Sequence, residues 1–170
     1  MSKERAIRNT LLRILNRARL FCLAIILYKG LSLGTNCEIP LLPVPFMTMD
    51  PSIMPGDLLF VNNPSEPIDI GEICVFKLPG RDVPLLHRVI KVHTEVKTGK
   101  QFILTKGDMN VGDDRGLYNP GMAWIHREHV VGRVRGIIPY LGYIVVWPHR
   151  YPLLEYILEG AIGLYVYYTF

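Results

Sequence analysis

The chain has 170 residues, 49% of them hydrophobic, with 13 prolines, 15 glycines and three cysteines. That length holds one domain with appendages, and a core of this size folds without disulfides or a structural metal. The net charge of +4 is local: six basic residues before Leu20 (Lys3, Arg5, Arg8, Arg13, Arg17, Arg19) face Glu4 alone, the remainder sits near −1, and a nucleic-acid-binding globule is excluded.

Residues 1–19 therefore read as a basic arm. It runs into LFCLAIILYKGLSLG (Leu20–Gly34), which is short against the roughly 20 apolar residues of a spanning helix and is interrupted by Lys29. Long basic side chains snorkel, so Arg17, Arg19 and Lys29 extend its usable length. Thr35–Asp50 contains no Lys or Arg, and the positive-inside rule then leaves the N-terminus cytosolic and translocates the chain beyond Gly34. A membrane anchor over residues 20–34 is the expectation. Its rival is a cleaved signal peptide, with Ser32 and Gly34 as a small-x-small site. A buried core helix is the third reading, and the basic flank argues against it.

Strands come next. Asp57–Val61, Glu72–Leu78, Leu85–Val96, Lys100–Lys106 and Val130–Tyr140 are rich in branched and aromatic residues, and the turn clusters PSEP, LPGRD, KTGK, GDDRG and YNPGM separate them. The pattern predicts a mainly β architecture, a single antiparallel domain over residues 35–150. Ile137–Trp147 and Pro152–Phe170 then bracket a polar corner, Pro148–Tyr151. Glu155 and Glu159 stand at i,i+4 on one face of the last segment, which predicts an apolar helix over residues 151–170 associated with a membrane surface or a partner. Tyr165, Tyr167 and Tyr168 suit a membrane boundary, so a span stays open.

The histidines and cysteines limit the chemistry. His126 and His129 stand at i,i+3 with no further ligand near in sequence and read as loop residues. One Cys37–Cys74 disulfide is open on an oxidising side, with Cys74 read first as a core residue. No cofactor and no metal are expected. His87 and His93 share the parity of a regular strand, and six residues at about 3.3 Å each put them roughly 20 Å apart. One site cannot use both.

Six strings in order carry a resemblance: PGDLLFV (Pro55–Val61), GEICVF (Gly71–Phe76), HRVIKVH (His87–His93), LTKGDMN (Leu104–Asn110), DDRGLY (Asp113–Tyr118) and VVGRVRG (Val130–Gly136). In these, and in the anchor upstream, the chain resembles the catalytic subunits of eukaryotic endoplasmic-reticulum signal peptidase complexes, within the type I signal peptidases. The resemblance implies a signal-peptidase-like antiparallel β domain lumenal to an N-terminal membrane-anchor helix. It also implies an endopeptidase that removes signal peptides, with other complex subunits and membrane lipid as partners. Bacterial relatives use a lysine base where this chain has His87, so the endoplasmic-reticulum type is implied.

Carried over by position, the family's nucleophile falls on Thr48, its base on His87, its catalytic acid on Asp114 and a further functional carboxylate on Asp108. A hydroxyl would attack the scissile carbonyl after giving its proton to imidazole, and a carboxylate would hold that imidazole. The backbone N–H of residue 48 would help bind the oxyanion, an interaction often worth ~3 kcal/mol. The departures cluster here: the family shows Ser-Gly-Ser where this chain reads Phe46-Met47-Thr48. Threonine's extra methyl restricts χ1, and two bulky residues stand beside the oxyanion. Ser52 copies the serine-to-proline spacing in Ser-Ile-Met-Pro, but breaks alignment with every downstream string. Turn capping is the plain alternative for Asp108 and Asp114, and a catalytically silent assembly subunit is the alternative for the whole chain.

Overall fold

The computed structural model describes residues 2–169. A helix, α1, runs over Ser2–Gly34, so the basic arm and the apolar segment are one continuous element. Seven strands follow: β1 Leu41–Pro43, β2 Leu58–Asn62, β3 Ile73–Phe76, β4 Leu85–Thr94, β5 Gln101–Lys106, β6 Ile125–His126 and β7 Val130–Ile138. Two helices close the chain, α2 over Tyr143–Arg150 and α3 over Pro152–Thr169. The predicted corner at Pro148–Tyr151 is thus narrower: α2 continues to Arg150, and Tyr151 alone separates the helices.

The strands form one antiparallel sheet in the order β1-β2-β7-β3-β4-β5-β6. The late strand β7 inserts between β2 and β3, which ties the C-terminal part of the domain to its beginning. Strand β3 buries both faces, as its unbroken ICVF run requires. Cys74 and Phe76 join one apolar cluster with Val89, Ile103, Ile125 and Tyr118. Val75, pointing the other way, joins a second cluster with Met49, Ile53, Leu59 and Val61.

A bulge corrects one expectation. Val89 pairs with Thr105 but Lys91 pairs with Leu104, so Ile90 is an extra residue in β4 and side-chain parity shifts across it. His87 is buried, whereas His93 is exposed and meets the edge of Trp124 at 4.9 Å between ring centroids. Alternation in the sequence cannot register an inserted residue.

Cys37 and Cys74 are free buried thiols in different clusters, with the Cys37 Sγ donating to the Val131 carbonyl at 3.6 Å. Burial pushes the Cys74 thiol up to about 12. His126 and His129 stack on each other at 5.7 Å, and the His126 backbone N–H donates to His129 Nδ1.

Among the described residues, no helix is long and apolar enough to cross a membrane. The apolar run Leu20–Tyr28 is nine residues long before Lys29 breaks it. The α1 side chains Leu20, Phe21, Ile26 and Leu27 are nonetheless exposed. Helix α1 meets α3 where the Arg17 guanidinium lies over the Tyr165 ring, 5.5 Å from its centroid. The side chains of Lys3, Glu4, Arg5, Glu155 and Tyr167 lie outside the described residues, so the facial reading of α3 rests on Glu159, Tyr165 and Tyr168, all exposed.

Candidate active site

Thr48 sits in the turn that links β1 to β2. The ends of that connection are locked: Val44 N–H donates to the Asp57 carbonyl at 2.9 Å, and Gly56 N–H to the Val44 carbonyl at 2.8 Å. Gly56 adopts φ +91°, and a Cβ there would fall 2.3 Å from the Tyr143 ring, so the PGD string requires glycine. Asp57 then accepts from the Met54 N–H at 2.9 Å and from the Tyr140 N–H at 3.3 Å. Inside this frame Met49 and Ile53 are fully buried, each such burial contributing about 1.5–3 kcal/mol. These two plugs hold the turn down while Thr48, their neighbour, stays exposed.

His87 stands on β4 opposite Cys74 and is 2% exposed. Its Nδ1 lies 2.6 Å from Asp114 Oδ2, and Asp114 is fully buried. The DDRGLY string makes this possible as a 3-10 turn over Asp114–Gly116. Asp113 caps that turn by accepting from the Arg115 N–H at 3.2 Å. Turn capping is therefore the role of Asp113, and Asp114 is left to face the imidazole. A buried ionised carboxylate accepts only, so His87 Nδ1 carries the proton of this contact and Nε2 is the basic nitrogen.

That nitrogen lies near the turn that holds Thr48. A Cβ built on Gly107 would lie 3.0 Å from His87 Nε2, 2.8 Å from the Thr48 carbonyl and 2.7 Å from Asn110 Nδ2. Glycine at 107 is what lets β4, the Thr48 turn and the loop after β5 come together. Met109 N–H also donates to the Thr48 carbonyl at 3.2 Å. Gly107→Ala is expected to lower turnover about a hundredfold, because the Thr48 carbonyl is backbone and must be displaced. Steady-state kinetics on a variant with an unchanged circular dichroism spectrum checks this.

Asp108 lies apart from the imidazole. Its carboxylate takes a bidentate pair from Arg88, Nε at 2.9 Å and Nη2 at 2.7 Å. Arg88 Nη2 also donates to Ser52 Oγ at 3.0 Å, and Nη1 to the Gly71 carbonyl at 3.1 Å. The Arg88 hydrogen bond holds the Asp108 carboxyl below the usual carboxylate range. This tie is present above that range and is lost as pH falls through the depressed value. It pins residue 88 beside the candidate base to Ser52 beyond the candidate nucleophile. Ser52 is thereby engaged as a structural acceptor and does not line the cavity that holds Thr48.

Thr48 and His87 share an apolar cavity of about 470 Å³, walled by Val44, Phe46, Leu86 and Leu117 among others. Phe46 belongs to its wall although it is 67% exposed, whereas Met47, 55% exposed, does not line the cavity. The two bulky departures are therefore not equivalent. A second cavity of about 460 Å³, near Lys100, His126 and Arg127, contains none of the candidate residues.

Arg88, Gly107 and Asn110 were not singled out from sequence, nor were Thr105 and Tyr118, which touch Asp114 directly or at one remove. The available signal was a polar residue, Thr105, in the otherwise apolar interior of β5.

No family model matches the chain. It is 46% identical over 155 residues to the signal peptidase complex catalytic subunit SEC11C of Rattus norvegicus, covering 91% of this chain and 80% of the relative. It is 40% identical over 173 residues to the signal peptidase complex catalytic subunit SEC11 of Schizophyllum commune, covering 93% and 90%. The corresponding Dictyostelium discoideum subunit is 37% identical over 157 residues, covering 92% and 87%. The chain belongs to the family of signal peptidase complex catalytic subunits.

Proposed function

We propose that this chain is the catalytic subunit of an endoplasmic-reticulum signal peptidase complex and removes N-terminal signal peptides from translocated precursors. The observation that carries this reading is the buried 2.6 Å His87–Asp114 pair, with His87 lining the same cavity as Thr48. An extended, apolar stretch of precursor lies in that cavity with its scissile carbonyl at Thr48. Thr48 Oγ1 attacks the carbonyl carbon and gives its proton to His87 Nε2, while the Thr48 N–H stabilises the oxyanion. Collapse of the tetrahedral intermediate breaks the C–N bond, and the imidazolium returns its proton to the leaving amine. Water, deprotonated by the same nitrogen, then hydrolyses the threonine ester. Asp114 stabilises the imidazolium throughout. Asp108 acts at one remove, holding Arg88 and Ser52 so that base and nucleophile keep their separation. Cleavage of a presecretory protein in detergent by the wild-type chain, and none by Thr48→Ala, tests the reading. Equal inactivity of both with normal assembly would make the chain a silent homologue.

The chain works as four parts: a cytosolic arm (1–19), an anchor (20–34), the lumenal peptidase domain (35–150) and a C-terminal helix (151–170) resting on lipid or on a neighbouring subunit. The exposed apolar side chains of α1, flanked by Arg17, Arg19 and Lys29, support the anchor despite its short apolar run, because snorkelling lengthens the usable span. Exposed Ile144, Val145 and Trp147 on α2 support membrane contact on the domain side. In sealed microsomes, residues 50–140 are expected to resist added protease until detergent is supplied. Their digestion without detergent would overturn the orientation, and a mature N-terminus near Thr35 would replace the anchor by a cleaved signal.

A further inference from the structure

Asp114 Oδ2 has two short partners, His87 Nδ1 and Thr105 Oγ1, both at 2.6 Å. Behind them Tyr118 Oη lies 2.9 Å from Thr105 Oγ1 and 3.0 Å from the Thr105 backbone nitrogen. Thr105 is fully buried and Tyr118 is 5% exposed.

The direction of every bond follows from chemistry. An ionised carboxylate only accepts, so the Thr105 hydroxyl donates to Asp114. Having spent its one proton there, that hydroxyl must accept from the Tyr118 O–H. Tyr118 Oη in turn accepts from the Thr105 backbone N–H, which no side-chain change at 105 alters except to proline. The polarity is therefore anchored in the backbone of β5 and runs through Tyr118 and Thr105 to Asp114.

Asp114 needs such an anchor. Its Oδ1 is buried with no hydrogen-bond partner among the described residues, so none of them restrains the carboxylate through that oxygen from turning about χ2. A turned carboxylate would present a different oxygen and a different angle to His87. Holding Oδ2 from a second side removes that freedom, as outer-layer hydrogen bonds do for reacting groups generally.

We propose that Thr105 and Tyr118 are positioning residues for the peptidase reaction: together they lock the Asp114 carboxylate and so keep His87 as the Nδ1–H tautomer with a basic Nε2. This rests on the assignment of His87 and Asp114 as base and orienting carboxylate. A merely structural threonine in a core strand predicts a different outcome on substitution: a lower melting temperature, from the Tyr118 hydroxyl and Asp114 left without Thr105, but an unchanged kcat.

The test uses Thr105→Val, Thr105→Ser and Tyr118→Phe in the full chain, each with a thermal melt. Thr105→Val is expected to lower kcat roughly tenfold to a hundredfold, the range for outer hydrogen-bond partners, with KM within about twofold of wild type. Thr105→Ser restores the hydroxyl and should keep most of kcat. Tyr118→Phe releases the Thr105 rotor and should fall between them. In parallel, ¹⁵N-histidine NMR reads the His87 ring without any turnover. Wild type should show one Nδ1-protonated form, and Thr105→Val a weakened or mixed signal. Wild-type kcat in folded Thr105→Val and Tyr118→Phe, with unchanged His87 signals, would overturn the proposal. A wild-type chain that cleaves nothing would sink the peptidase reading instead, and the NMR comparison would still decide the role of Thr105 and Tyr118. If Thr105→Val alone fails to fold, an unperturbed Tyr118→Phe overturns the proposal and a perturbed one supports it.

Discussion

Asp114→Asn is expected to reduce turnover on the order of 10⁴-fold, about as much as losing the base itself, while leaving the chain folded. The amide matches the carboxylate in shape but can offer an N–H where His87 Nδ1 now finds an acceptor. Facing that N–H, the imidazole would carry its proton on Nε2 and could not take one from Thr48. The substitution also removes a buried negative charge together with its need for a partner. His87→Ala is the harsher probe: it strips Asp114, fully buried, of its ring partner and leaves it with the Thr105 hydroxyl, and a lost hydrogen bond to a charged group costs about 1.5–3 kcal/mol. Kinetics of both variants and of the double variant check the account. The members of one proton-transfer unit are not additive, so His87→Ala with Asp114→Asn should be little worse than either alone. Independent, multiplying losses would mean that the two residues do not act as a pair.

Thr48→Ser is expected to raise turnover about tenfold and Thr48→Ala to lower it at least about a thousandfold. The serine hydroxyl keeps the proposed nucleophile but removes the methyl that restricts χ1. The flanking residues should then separate. Phe46 is part of the cavity wall, so Phe46→Ser in the Thr48→Ser background should raise turnover again and widen the range of precursors accepted. Met47 does not line the cavity, and Met47→Gly should change little beyond a looser turn. Comparison of kcat and KM over a short set of precursors reads this out. Equal gains from both positions would contradict the assignment of Phe46 alone to the wall.

The strands were legible where they carry their own period. Leu85–Thr94 and Gln101–Lys106 were bounded within two residues because branched side chains run between clear turn clusters. Strand β1 was missed: Leu41–Pro43 lies among prolines and is a strand only through its pairing with β2, such as Leu41 with Phe60. Strand β6, two residues long, is likewise defined by its partner β5. The bulge at Ile90 was invisible for a similar reason, since it exists in the register between two strands and not in either one.

At the site, the residue types were legible from the strings that carry the family resemblance, and their division of labour was not. Adjacent aspartates at 113 and 114 look alike in sequence. Only the 3-10 turn sends one to cap it and the other to the core. Asp108 read as a carboxylate of the site, yet its partner is Arg88, next to the proposed base, because the bidentate fork of arginine reaches across from β4. Glycine at 107 carried no signal of its own. Its reason is the approach of three separate segments, a fact of packing alone.

The central claim is that Thr48 is the nucleophile that His87 activates. A peptide phosphonate with an apolar stretch before its reactive phosphorus tests it without relying on turnover. A hydroxyl nucleophile forms an O–P bond and expels the leaving group, and mass spectrometry of the digested protein locates the adduct. One adduct is expected, on Thr48, formed rapidly in wild type and in Thr48→Ser and lost in His87→Ala. An adduct on Ser52, or labelling of Thr48 at the same rate without His87, would contradict it.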